Sequence, residues 1–173
     1  KKAADRGNIY AMNSYANMLR KGDDIPINEK EALQYYKKAA DGGLVREMNN
    51  YAFMLYKDGM PANKIEAARY FKMAADKGSV DAMNVYAKMC YNGNEIQADK
   101  MEAAQYYKMA ADNGDSSAMN LYACMLYKGD GIPANKEAAT QYFKMAADKG
   151  NKDAMNNYNK ITRYCTIFWN QYY

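Results

Sequence analysis

Apolar residues fall at helical intervals in two short runs within residues 115–150. In AMNLYACMLYKG, Ala118, Tyr122, Met125 and Leu126 follow i, i+4, i+7, i+8 spacing and share one helix face. In NKEAATQYFKMAADKG, Ala139, Tyr142, Phe143, Ala146 and Ala147 make a second stripe. Asp115 or Ser116 is suited to cap the first helix, and Asn135 the second. Gly129 and Gly131 end the first run, Pro133 forbids its continuation, and Gly150 closes the second. The spacing predicts a helix, a loop, a second helix and a turn. Helices of about 14 residues are too short to be stable alone in water, so each must bury its stripe on its partner and on a neighbouring unit.

The same pattern recurs. KMAADKG stands at Lys72–Gly78 and Lys144–Gly150, KMAADNG at Lys108–Gly114, KKAADGG at Lys37–Gly43 and KKAADRG at Lys1–Gly7. A Met-Asn word travels with it, at Asn13, Asn49, Asn84, Asn120 and Asn156. A period near 36 is the mark of stacked supersecondary units. The expected divisions are 1–7, the tail of a truncated repeat; four repeats at 8–43, 44–78, 79–114 and 115–150; and a C-terminal helix at 151–173. The start in mid-repeat leads us to expect that the native protein continues upstream. Cap residues with Glu three positions on (Asn28 with Glu31, Asn63 with Glu66, Asp99 with Glu102) predict capping boxes, whereas the fourth repeat has Ala138 there. Ala32, Ala67, Ala103 and Ala139, with Ala16, Ala52, Ala87 and Ala123, mark points where helix axes are expected to approach closely.

Composition narrows the chemistry. A net charge of +4, spread evenly, does not argue for nucleic acid. With no His, the chain has no imidazole for base catalysis or metal ligation. Three Cys at non-equivalent repeat positions offer neither a disulfide ladder nor a zinc set, and suit a reducing, cytoplasmic setting. No run is apolar enough for membrane insertion. No phosphate loop or nucleophile elbow is present, so neither a cofactor nor an enzyme is expected within this chain. The 14 Met and 18 Tyr read as core filler, Tyr burying its ring while its hydroxyl reaches the edge.

Ala118–Gly150, with its Gly-x-Gly-Ile-Pro exit and Ala-Ala-Asp-x-Gly ending, resembles the Sel1-like repeat, a relative of the tetratricopeptide repeat. The resemblance extends from Lys1 to about Tyr158. Repeat two is one residue short, in KDGMPANK, and repeat three lacks the second Gly and the Pro. The resemblance implies an all-α, right-handed αα-solenoid acting as an adaptor for other proteins. The expected partner is a protein or peptide, held on a concave face lined by the first helices. An architectural spacer inside a larger complex is the alternative, as is a regulatory region of an enzyme whose catalytic domain lies outside this chain.

Adding four and seven to each Met-Asn asparagine gives the candidate stripes. These are Asn13-Asn17-Arg20, Asn49-Phe53-Tyr56, Asn84-Lys88-Tyr91, Asn120-Cys124-Tyr127 and Asn156-Lys160-Arg163. The partner-binding candidates are Asn49, Phe53, Tyr56, Asn84, Lys88, Tyr91, Asn120 and Tyr127. The Asn row suits either bonding between repeats or an amide clasp on a peptide backbone. The C-terminal helix loses its stop, with Cys165 where Gly129 would stand, and is expected to run on. Its apolar residues Ile161, Cys165, Phe168, Trp169 and Tyr172 either cap the array or dock a partner.

Overall fold

A computed structural model of the chain describes residues 1–58, 61–93 and 96–172, with side chains for 1–57, 63–93 and 96–162. Among the described residues all regular structure is helical, and the chain divides into two compact units, Lys1–Ala82 and Met83–Tyr173. The first holds α1 (Lys2–Asp5), α2 (Ile9–Lys21), α3 (Glu29–Asp41), α4 (Val45–Asp58) and α5 (Pro61–Asp76), and α6 (Val80–Asn92) starts at its end. The second continues through α7 (Lys100–Asp112), α8 (Ser116–Lys128), α9 (Lys136–Asp148) and α10 (Lys152–Tyr172). Within the first unit each helix from α1 to α5 packs on the next; within the second, α7 to α10 do the same.

Local chemistry sets the ends. Asn28, Asp99, Asp115 and Asn135 accept from the backbone N–H three residues on, at 3.0, 2.8, 2.6 and 2.9 Å. The same cap residues pin the preceding loop: the N–H groups of Asn28, Asp99 and Asn135 donate to the carbonyls of Leu19, Cys90 and Leu126. The glycine ending each Ala-Ala-Asp-x-Gly word has φ between 86° and 96°, a conformation that a β-carbon opposes. Repeat two differs from expectation. Its second helix starts at Pro61 and takes Asn63 inside, because proline at a first helical position already has a helical φ and lacks an N–H needing a cap.

The core follows the periodic stripes. All eight alanines singled out by the repeat are fully buried. Around them one tyrosine pair recurs edge to face in every repeat: Tyr15–Tyr35, Tyr51–Tyr70, Tyr86–Tyr106 and Tyr122–Tyr142, with ring centroids 4.8–5.1 Å apart. The second-helix tyrosine of the pair then reaches back one repeat. Tyr35 donates to Asp5, Tyr70 to Asp41, and Tyr142 to Asp112 at 3.4 Å. These acceptors are the aspartates of the Ala-Ala-Asp word.

A lysine rung runs beside them. Lys1 donates to Glu31 at 3.1 Å and Lys37 to Glu66 at 2.7 Å. In repeat four the glutamate position is Ala138, and Lys108 turns instead to Asp112 of its own helix at 2.7 Å. Asp112 thus serves two donors, and its bond from Tyr142 is the long one. α10 continues to Tyr172, as the missing glycine stop predicts. Ile161 is half-buried; the side chains of Cys165, Phe168, Trp169 and Tyr172 lie outside the described residues.

Candidate partner-binding site

Two of the Met-Asn asparagines bond to the next first helix within their own unit. Asn13, only 5% exposed, accepts from Asn50 Nδ2 at 2.9 Å, and Asn120 accepts from Asn157 Nδ2 at 3.1 Å. Each donor is the residue just after the Met-Asn word of the following repeat. The repeats that follow Asn49 and Asn84 carry Val85 and Leu121 at that place, which have nothing to donate. The Asn49 and Asn84 Oδ1 atoms are the buried side-chain oxygens left without a partner among the described residues. Asn49 still donates through Nδ2 to Ser79 Oγ at 2.8 Å. Asn156 is exposed.

The second column is individual to each repeat. Asn17 is held inside its own repeat, accepting from the Tyr36 hydroxyl at 2.9 Å and donating to the Asn13 carbonyl at 3.0 Å. Phe53 rests edge-on against Phe71 at 4.9 Å yet keeps 41% of its surface exposed. Lys88 is exposed. Cys124 is half-buried, and burial pushes its thiol above the ordinary value.

In the third column Tyr56 and Tyr127 are exposed, with Lys136 Nζ 5.7 Å from the Tyr127 ring centre. Tyr91 is half-buried because its hydroxyl donates to Asp130 Oδ2 at 2.6 Å. Lys100 donates to the other oxygen of Asp130 at 2.7 Å. The bonds from Lys100 and then Tyr91 hold the Asp130 carboxyl below the usual carboxylate range.

In the first unit, where Arg20 replaces the column's tyrosine, a groove of about 570 Å³ opens between α2, α3 and α4. Its rim carries Arg20, Glu29, Lys30 and Lys57, and its floor Leu33, Met54 and Leu55. A shallower hollow of about 290 Å³ adjoins it, sharing Arg20, Met54 and Lys57 and adding Asn17, Asn50 and Phe53. The sequence reading did not single out this groove; the Arg20 break in the tyrosine column was its one visible sign. Among the described residues no group of His, Cys, Asp and Glu is arranged to hold a metal ion, and no helix is long and apolar enough to cross a membrane.

Comparison with known proteins places this geometry. The chain is similar to a protective antigen of uropathogenic Escherichia coli with an SLR fold: TM-score 0.84, 23% identity, 94% of this chain and 35% of that one. It is similar to a Sel1 repeat protein from Oxalobacter formigenes, with TM-score 0.81, 28% identity, 88% of this chain and 63% of that one. Cysteine-rich protein B of Helicobacter pylori matches with TM-score 0.57 and 26% identity over 73% of this chain and 92% of that one. The chain thus spans about a third of the first of these proteins and under two thirds of the second. No curated protein sequence matches it significantly. The neighbours are αα-solenoids, and that is the fold class here. The Sel1 repeat is matched at residues 9–44, 48–79, 80–115 and 116–151, which takes in both tyrosines of each recurring pair, and the chain belongs to the Sel1 repeat family.

Proposed function

We propose that this chain is a non-enzymatic interaction module that holds a protein or peptide partner on the face lined by the first helices of its repeats. Sel1 repeat proteins generally mediate protein–protein interactions and are typically non-catalytic scaffolds. The observation that carries the reading for this chain is the exposure of aromatic side chains on first helices, Phe53 and Tyr56 on α4 and Tyr127 on α8, beside the exposed Leu121 of α8 and Tyr10 of α2. A purely architectural spacer has no need of exposed aromatic side chains on its first helices, whereas aromatic side chains with accessible faces supply interface energy. Lys88, in the variable column, would contribute charge selectivity. Asn49 lies on the same first helix as Phe53 and Tyr56, Asn84 on that of Lys88, and Asn120 on that of Tyr127.

The test is affinity capture from the source organism. The bait is this chain, compared with a Phe53→Ala, Lys88→Glu, Tyr127→Ala variant and with a Lys144→Glu control on the second helix α9. Proteins retained by the wild type and the control but lost by the triple variant support the reading. Identical captures by all three reject it.

A further inference from the structure

We propose that Met73, Met109 and Met145 are oxidation sites of the folded chain, at which hydrogen peroxide converts the thioether to a sulfoxide while the helices stay intact. Met109 and Met145 hold the same place on α7 and α9 of the second unit, and Met73 holds the matching place on α5 of the first. Each is the methionine of a Lys-Met-Ala-Ala-Asp word. Methionine in this sequence reads as core filler, yet these three are 38%, 39% and 48% exposed. Packing does not ask for a thioether there, since repeat one has Lys38 at that place, also exposed.

The step needs only an accessible sulfur. A sulfur lone pair attacks one peroxide oxygen, the S–O bond forms, the O–O bond breaks, and the other oxygen leaves as water with both peroxide protons. Sulfur gives up two electrons and peroxide takes them. Methionine sulfoxide reductases, drawing on a thiol reductant, reverse the step. The product is polar, which disrupts a core but suits a position facing solvent. The helix-end bonds at these residues are made by the backbone. The Met109 carbonyl accepts from the Asn113 N–H at 3.1 Å, and the Met145 carbonyl from the Lys149 N–H at 3.2 Å. Oxidation of the side chain leaves both in place. The methionines of α6 and α8 are the contrast. Met83 and Met119 are 2% exposed, and Met89 and Met125 are 3% exposed. Their sulfurs meet peroxide only when the local structure opens. The fold thus sorts its thioethers, offering those of the Lys-Met-Ala-Ala-Asp words to oxidant and shielding those of the α6 and α8 core.

Timed exposure to dilute hydrogen peroxide, followed by mass-spectrometric mapping of one-oxygen additions, tests this. Digestion after glutamate places Met73 and Met145 in different peptides, whereas trypsin would release the same Met-Ala-Ala-Asp-Lys from both. Met73 and Met109 then share peptides with Met83 and Met119, which gives each an internal comparison. The three exposed methionines are expected to oxidise at least about tenfold faster than Met83, Met119 and Met125, and the contrast should vanish in urea. Circular dichroism at 222 nm should hold steady while the three react, and a sulfoxide reductase with dithiothreitol should return them to their original mass. A Met73→Leu, Met109→Leu, Met145→Leu variant should keep the helical spectrum and lose these oxidation events. Equal rates for exposed and buried methionines in the folded chain, loss of helix as the three react, or sulfoxides that the reductase does not repair would overturn the inference.

Discussion

Asn50→Val isolates the bond that joins the first helices of repeats one and two. It turns the position into what repeat three already has, Val85, so the backbone accepts the residue. Val and Asn have similar helix propensities, and the substitution therefore leaves helix α4 almost unbiased. What it removes is the 2.9 Å bond from Asn50 Nδ2 to Asn13 Oδ1. Asn13 is 5% exposed and cannot easily recruit water in its place. An orphaned buried acceptor costs about 1–3 kcal/mol. For a chain of this length each kcal/mol lowers the melting temperature by about 2–4 °C, so the expected fall is about 2–12 °C. Circular dichroism melts at 222 nm measure it. A double-mutant cycle with Asn13→Ala assigns it: with the acceptor gone, Asn50→Val should cost less by about 0.5–3 kcal/mol. An unchanged melting temperature, or the same cost with and without Asn13, would refute the ladder.

Ala103→Leu should overfill the fully buried junction of α7 and lower the denaturation midpoint by about 1–3 kcal/mol; an unchanged midpoint in urea would show that α7 is not packed there. Ala138→Glu should draw Lys108 away from Asp112, release Asp112 to Tyr142 alone, and gain roughly 0.2–1 kcal/mol. That gain should vanish in a Lys108→Ala background when the two melts are compared. High pH should destabilise the fold. Burial first, then the bond to Asp41, pushes the Tyr70 hydroxyl up to about 12, and burial chiefly raises Tyr107 to about 12. Above pH 10 the unfolded chain loses these protons while the folded chain keeps them, so stability is full below pH 10 and falls from there towards pH 12. Absorbance at 295 nm followed against pH should therefore show a class of tyrosines that ionise late and together with the loss of helix; a single normal transition near pH 10 with helix intact counts against it.

The helix pairs, three of the second-helix caps and the buried alanines were legible in the chain because local periodicity and cap chemistry specify them within a few residues. The bonds between repeats were not. Asp5 and Tyr35, or Asp41 and Tyr70, lie 30 and 29 residues apart, and nothing local marks them as partners. Glu31 and Glu66 read as capping-box residues, yet the Asn28 backbone N–H goes to the Leu19 carbonyl, Asn63 lies inside α5, and both glutamates take a lysine from the preceding repeat. Asn63 looked like a cap and sits inside α5, because the local signal of Asn was outweighed by the proline two residues earlier. Glu47 stands almost fully buried where other repeats have Ala11, Ala82 or Ala118, and no pattern along the chain announces it. Of the candidate site, the columns were legible, but which members stay exposed depends on neighbours that only stacking supplies. Tyr91 is drawn in by Asp130, whereas Tyr127 is left out.

Stacking also explains why some first-helix columns differ from repeat to repeat. The period places a Tyr–Asp rung, a Lys–Glu rung and an Asn rung at fixed columns, and these columns carry the cost of holding repeats together. Where a rung loses a member, as at Ala138, the lysine finds a substitute within its own helix and the array continues. The columns at Asn17, Phe53, Lys88 and Cys124 and at Arg20, Tyr56, Tyr91 and Tyr127 have no such common duty. In each repeat they have taken up a different local role: an internal bond at Asn17, an aromatic edge at Phe53, solvent at Lys88. A substitution in a rung is felt first as lost stability between two repeats. A substitution in these variable columns is felt first in what the surface can hold. Arg20 is the clearest case: where Tyr91 donates to Asp130, the first unit has a guanidinium on the rim of a groove between α2, α3 and α4.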